Sequence, residues 1–332
     1  MYTVYENIAI RAMAVTVPPT ILDNEEYAAT VKDRRYKRRI QYTGIKQRRE
    51  PLLGQKGSDL VCVAAERVID KLGWDKESIK TLIYITQSPD IYAPSTAMII
   101  QAKLGLSLDI MAFDVNLGCS GFTTGVQIMA GILSQTKGRG LLLMGDSQKW
   151  APGDEFSDHA IIVGAGMAAI AMEWDAEVPA IPAFQMTDGN KYKTLYASAE
   201  DGHVMDGNEI VLFSLNEVVN SLNEFHKHFQ IEKETIDYYA LHQAQKIIVD
   251  GVANNCAIPS EKVLCAYEMY GNTSSASVPF ALCANTDKFQ KERIKILACG
   301  FGIGLAWSGL VFEISADSVL PISESGYIYP VI

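Results

Sequence analysis

Ile110-Met111-Ala112-Phe113-Asp114-Val115-Asn116-Leu117-Gly118-Cys119-Ser120-Gly121-Phe122 carries the reading of this chain. Ile110 to Phe113 is short and apolar and reads as a buried strand. From Phe122 to Leu133 the apolar residues recur at helical spacing. Between them Cys119, flanked by Gly118 and Gly121, stands at a strand-to-helix turn, so its sulfur faces the start of a helix. The positive end of the helix dipole favours a thiolate there. Most cysteines of intracellular enzymes are inert core residues, but this placement singles out Cys119 as a candidate nucleophile.

Outward from this turn, apolar strand-like runs alternate with amphipathic helical ones, which predicts an α/β layered fold. Strands are expected over Ile8 to Val17, Leu82 to Thr86 and Gly140 to Gly145. The Gly- and Ala-rich run Ile161 to Met172 reads as a tightly packed strand. A helix starts near Asp23 or Asn24 as cap, a second covers Ser58 to Leu72 and stops at Gly73, and a third covers Ser95 to Leu104 and stops at Gly105.

The second half repeats this outline. A helix covers Ser214 to Phe229, and the strand Tyr238 to Leu241 feeds His242. The polar turn Tyr270-Gly271-Asn272-Thr273-Ser274-Ser275-Ala276 opens a helix over Ser277 to Asp287. The strand Lys295 to Ala298 leads into Gly300-Phe301-Gly302-Ile303-Gly304. Each half thus has a polar residue at a helix start, a helix, a strand and a Gly-rich strand, which suggests an internal duplication. The halves are 1–173, with the cysteine, and 174–332, with His242 and Asn272. The reactive groups would meet at the pseudo-two-fold axis. The extension from about residue 315 has no counterpart in the first half.

Composition excludes several classes. The 332 residues are 48% hydrophobic with a net charge of −10, which argues against nucleic acid and anionic membrane surfaces as partners. No apolar run reaches the length of a membrane-spanning helix, and Met1 to Glu6 lacks the pattern of a signal peptide. The six cysteines show neither C-x-x-C nor metal-ligand spacing, which points to reduced thiols in a cytoplasmic protein. His226 and His228 lie about 200° apart on a helix and cannot share a metal. The basic run Lys32 to Arg39 is either a solvated helix face or a phosphate-binding edge.

Cys119, His242 and Asn272 could assemble. A thiolate attacks a carbonyl carbon, while a histidine and an amide donate two hydrogen bonds to one developing oxyanion. Cys-His-Asn also suits a papain-like protease, but repeated layered halves do not fit that fold.

Four motifs resemble those of the β-ketoacyl-acyl-carrier-protein synthase III family: Asp114-Val115-Asn116 through Cys119-Ser120-Gly121-Phe122, Leu241-His242-Gln243-Ala244, Tyr270-Gly271-Asn272-Thr273-Ser274-Ser275-Ala276-Ser277-Val278-Pro279, and Gly300-Phe301-Gly302-Ile303-Gly304. Thr43-Gly44-Ile45 and Pro94-Ser95 match its early landmarks, and the resemblance runs from about residue 5 to 314. It implies a thiolase-like fold of five layers, α-β-α-β-α, in a homodimer. Cys119 would accept an acyl group as a thioester. His242 and Asn272 would hold the carbonyl of a malonyl-thioester during decarboxylation, and the carbanion would attack the acyl carbon. The backbone N–H groups of Cys119 and Ile303 would form the oxyanion hole, with Gly302 and Gly304 letting the backbone approach the substrate. No cofactor is implied: coenzyme A or carrier-protein phosphopantetheine thioesters enter as substrates, and an acyl carrier protein is a candidate partner.

The chain departs from the family in four places. Tyr42 and Arg38 stand where an Arg and a Trp typically clamp the adenine of coenzyme A. The helix from Lys246 keeps one lysine of the usual carrier-docking patch, with Asn254 and Asn255 in place of a basic pair. Ala93 replaces a Phe that walls the partner's acyl pocket, which predicts a longer or bulkier acyl group than acetyl. Ile162-Val163-Gly164-Ala165-Gly166-Met167 replaces Phe-Gly-Asp-Gly-Ala-Gly. Together these point to a specialised pathway, such as a secondary metabolite or surface saccharide. An acyltransferase moving the Cys119 acyl group to an amine or alcohol is the alternative. A hydroxymethylglutaryl-coenzyme A synthase would need a glutamate base near the strand Leu82 to Thr86, where Gln87 follows and no Glu lies nearby, and a non-catalytic partner subunit would commonly lack Cys119 or His242.

Overall fold

The structure is a computed structural model and describes residues 1–32, 34–147, 161–198 and 200–330. Asp33 of the basic run and Val331 and Ile332 of the tail lie outside them. Six strands form one sheet in the order Ser323–Glu324, Ile8–Val17, Gly166–Trp174, Arg139–Asp146, Ile79–Ile85, Met111–Val115. Five form a second in the order Tyr2–Tyr5, Ile181–Thr187, Ala306–Ser315, Arg293–Gly302, Tyr238–Leu241.

The same topology appears in both. Ile79–Ile85 runs parallel to Arg139–Asp146, followed by the antiparallel strands Gly166–Trp174 and Ile8–Val17. Tyr238–Leu241 runs parallel to Arg293–Gly302, followed by the antiparallel Ala306–Ser315 and Ile181–Thr187. That correspondence is the duplication seen in the sequence.

Alternation along the strands builds the layers. Leu142 and Met144 face a central core, while Leu141 and Leu143 face an outer core under the Gly57–Leu72 and Thr96–Leu104 helices. Ile296 and Ala298 face the same centre, whereas Leu297 and Cys299 face the Val219–His228 and Lys246–Asn255 helices. Between the sheets lie the Gly121–Thr136 and Ser277–Cys283 helices, each touching strands of both. The result is the five-layered α-β-α-β-α thiolase-like fold. Strands buried on both faces read as continuous apolar runs rather than alternating ones.

Several limits differ from expectation. Met111–Val115 is an edge strand, and Met111 is 52% exposed, so this run is not fully buried. The Gly- and Ala-rich strand begins at Gly166, not Ile161. The helix expected from Ser214 is preceded by Gly207–Phe213, capped by the Asp206 carboxylate, with a π-turn at Ser214–Val218. The helix from Ser277 stops at Cys283. Gly300 to Gly302 belong to the strand Arg293–Gly302.

Both ends of the chain cross the division at 173/174. Tyr2–Tyr5 joins the second sheet, and Ser323–Glu324 joins the first. The tail is fastened there: Arg67 donates to the Pro321 carbonyl at 2.6 Å, Gln55 to the carbonyls of Ser325 and Tyr327 at 3.0 and 3.1 Å, and the Tyr329 N–H to Asp59 at 3.1 Å.

Candidate active site

Cys119 follows the strand Met111–Val115 and precedes the helix Gly121–Thr136. The turn closes with Gly121 N–H donating to the Gly118 carbonyl at 2.7 Å. Asp114, at the strand end, accepts from the N–H groups of Thr96 and Ala97 at 2.6 and 2.7 Å, tying the strand to the start of the preceding helix, Thr96–Leu104. The backbone N–H groups of Ile303 and of Cys119 itself, and the Asn272 amide, lie near the sulfur and favour its thiolate. Burial outweighs them and pushes the thiol up to about 11, and Asp146 adds to the rise. The helix start therefore does not by itself lower this thiol: desolvation raises it more than the nearby donors lower it.

Asn272 sits in a turn that only glycine permits. Gly271 has φ +67°, and a Cβ on it would lie 2.5 Å from the Ile162 carbonyl. Asn272 N–H donates to that carbonyl at 2.8 Å, and Gly164 N–H donates to the Asn272 carbonyl at 3.0 Å. The divergent segment from Ile162 thus holds the Asn272 backbone, a role the sequence did not disclose. The Asn272 side-chain oxygen accepts from Ser274 N–H at 2.9 Å. Its NH2 is left without that partner, and Asn272 and Cys119 line the same cavity.

His242 is 2% exposed. It continues the strand Tyr238–Leu241, with its N–H donating to the Cys299 carbonyl at 2.8 Å. Its Nδ1 lies 2.6 Å from Ser277 Oγ, and its ring meets the edge of Phe301 at 5.5 Å. Burial pushes its pKa down to about 3, so the ring is neutral. Gln243 holds the turn by donating to the Leu241 carbonyl at 2.7 Å and accepting from Ala266 N–H at 2.7 Å. Sequence reasoning missed Ser277, the ring's partner.

A cavity of about 390 Å3 opens beside the sulfur. Cys119, Asn272 and Ile303 line it, with the Leu195–Ser198 and Gly202–Met205 hairpin at its mouth. His242 is not part of its wall. Nor are Gly302 and Gly304, which shape the backbone behind Ile303. Arg38, Tyr42, Lys246 and Ala93 also stand apart from it. Tyr42 is 73% exposed, and Lys246 packs over Gly44 and pairs with Asp250 at 2.6 Å. Ala93 is exposed on the surface.

Residues 227–314 match the family model described as 3-oxoacyl-[acyl-carrier-protein (ACP)] synthase III C terminal. The chain is 33% identical over 297 residues to the β-ketoacyl-[acyl-carrier-protein] synthase III of Prochlorococcus marinus (strain NATL2A), covering 81% of this chain and 85% of that one. It belongs to the β-ketoacyl-[acyl-carrier-protein] synthase III family. The synthase III of Clostridium perfringens (strain SM101 / Type A) is 30% identical over 329 residues, 93% of this chain and 100% of that one. Among solved structures, a 3-oxoacyl-(acyl-carrier protein) synthase from Burkholderia xenovorans LB400 superposes with TM-score 0.91 at 25% identity, covering 98% and 99% of the two chains. This synthase III relative is thus an enzyme of the condensing, group-transferring kind. Among its described residues no helix is long and apolar enough to cross a membrane, and no group of three or more His, Cys, Asp or Glu is placed to hold a metal ion. His226 instead bonds the Ile231 carbonyl at 2.8 Å, and His228 stacks on Tyr2.

Proposed function

We propose that this chain joins an acyl group to a malonyl-thioester by decarboxylative Claisen condensation. The Cys119 thiol displaces the thiol of an acyl-thioester, and its proton leaves with that thiol. The N–H groups of Cys119 and Ile303, which lie near the sulfur, would receive the carbonyl oxygen during this attack. The malonyl-thioester then loses carbon dioxide, and its carbonyl becomes an enolate held by Asn272 NH2, with His242 Nε2–H as the second donor even though the ring does not line the cavity itself. Ser277 supports this tautomer when its hydroxyl donates to Nδ1. The carbanion attacks the acyl carbon, and Cys119 leaves to regain a proton.

The observation that carries this reading is the shared cavity wall: Cys119 and Asn272 line one cavity, and Ser274 N–H occupies the Asn272 oxygen, which leaves the amide NH2 as a donor there. Simple acyl transfer to an amine or alcohol has no need of that second donor, and the relatives from Prochlorococcus marinus and Clostridium perfringens are named as synthases. Incubation with one acyl- and one malonyl-thioester, followed by mass spectrometry of the released thioester, tests it. A β-ketoacyl product supports condensation, while an amide or ester without a new C–C bond refutes it.

No resident cofactor enters these steps. The exposed position of Ala93 fits a wall contributed to a partner subunit, and Met98, Leu108 and Met111 are exposed around the free edge of Met111–Val115. Both favour a homodimer built across that edge. Six unpaired cysteines and thioester substrates fit the cytoplasm.

A further inference from the structure

The basic run of the sequence folds into the helix Arg34–Thr43, which has no part in the steps above. Its ten residues include five Arg or Lys and no Asp or Glu, in a chain whose net charge is −10. Ile40 and Thr43 are buried, Ile40 in a cluster with Ala28, Val31 and Ile161 on which Ile162 also packs. Ile162 lines the cavity beside Cys119, so the helix backs that wall. At about 100° per residue, Arg34, Lys37, Arg38 and Tyr42 fall on the face turned away from Ile40 and Thr43, and all four are exposed.

An ordinary solvated face intersperses its charges, and this one does not. Arg34 lies three and four residues from Lys37 and Arg38, a spacing at which like charges repel. The cations begin at the positive end of the helix dipole, with no acid in the first turn. Among the described residues no ion pair neutralises Arg34, Lys37 or Arg38, whereas the nearby Lys46 pairs with Glu268 at 2.5 Å and Lys246 with Asp250 at 2.6 Å. An anionic partner relieves this repulsion. Small ligands take concave sites, and none of these side chains lines the cavity beside Cys119. From Arg34 to Tyr42 the face runs about 12 Å along the helix, which suits a row of carboxylates on another protein better than a single phosphate.

We propose that this face docks an acidic carrier protein, which brings the malonyl-thioester to the Cys119 cavity on a phosphopantetheine arm. This rests on the condensing reading above and names the partner of that site. The docking surface then lies on the first half of the chain, apart from the helix Lys246–Asn255, whose one lysine is already paired. Charges at the edge of such an interface steer encounter and make it sensitive to salt.

Initial rates of β-ketoacyl formation are measured with butanoyl- to dodecanoyl-coenzyme A as primers. The second substrate is either malonyl-coenzyme A or the malonyl-thioester of an acidic bacterial acyl carrier protein. Arg34→Glu combined with Lys37→Glu reverses two exposed charges. It should lower kcat/KM for the malonyl-carrier about tenfold or more, through KM, and leave that for malonyl-coenzyme A within about twofold. In wild type, kcat/KM for the malonyl-carrier should fall as salt rises from about 50 to about 300 mM. Arg34→Gln with Lys37→Gln gives the same readout, smaller in size, should the reversal fail to fold. Equal losses with both malonyl donors overturn the proposal, since they place coenzyme A phosphates or a purely structural role on this face. An unchanged value with the carrier overturns it too, as does a wild type that accepts malonyl-coenzyme A alone. Product from malonyl-coenzyme A in these cases leaves the condensing reading standing. No product from either donor with any primer overturns both.

Discussion

Gly302 lies against Cys119: a Cβ there would come within 2.7 Å of the Cys119 Cβ and 2.9 Å of its Sγ. Its φ of +153° also disfavours any L side chain. Gly302→Ala should displace the sulfur or the Ile303 N–H that faces it. We expect acyl loading to fall about 100-fold, with a stability loss of roughly 1–3 kcal/mol from backbone strain. Intact mass and thermal unfolding check the two parts, and loading at the wild-type rate would contradict this geometry.

Desolvation pushes the half-buried Cys119 thiol up to about 11, which predicts a protonated sulfur at neutral pH. Its alkylation by iodoacetamide should therefore rise about tenfold per pH unit from 7 to 10. Asn272→Ala removes a donor that favours the thiolate and should slow alkylation at pH 8. Peptide mapping of the labelled cysteine checks this, and a plateau above pH 8 would contradict a raised thiol.

His242 titrates near 3 in the fold, below its ordinary 6.5. The unfolded chain takes up a proton below pH 6.5 that the folded chain refuses. Its contribution to stability is complete above pH 6.5 and is lost as pH falls toward 3, at about 1.4 kcal/mol per unit. Urea unfolding at pH 7, 6, 5 and 4 should show this slope in wild type and lose about one proton's worth of it in His242→Gln. Identical slopes would show that the ring titrates normally.

Ser277 Oγ is the hydrogen-bond partner of His242 Nδ1. Ser277→Ala should impair condensation more than loading, because loading uses the backbone donors near Cys119. A roughly tenfold loss in β-ketoacyl formation, against a smaller loss in acyl-Cys119 formation, is expected. Equal losses would place the ring elsewhere in the reaction.

The turns that carry Cys119, Asn272 and His242 were legible because each breaks a pattern. Cys119 and Asn272 interrupt apolar periodicity beside glycines that the backbone requires, and His242 ends a strand whose limits, Tyr238–Leu241, are those expected. Ile8–Val17 likewise matched, since burial on both faces makes it a long apolar run. Other features had no local signal. Ser277 meets His242 across 35 residues, and Asp146 is one polar residue at the end of an apolar strand. The thiol's pKa depends on burial by segments distant in sequence, which the local helix start cannot reveal. An edge strand and a central one have similar sequences, so the exposure of Met111 was hidden, as was the docking of the tail on Gln55, Arg67 and Asp59.

Carbon dioxide release from a malonyl-thioester, measured with acyl-loaded wild type and with Asn272→Ala, tests condensation most directly. Wild type should release it together with a β-ketoacyl product, and Asn272→Ala should release it about 100-fold more slowly. No release by wild type from any malonyl donor, or undiminished release by Asn272→Ala, would contradict the role given to the Asn272 amide beside Cys119.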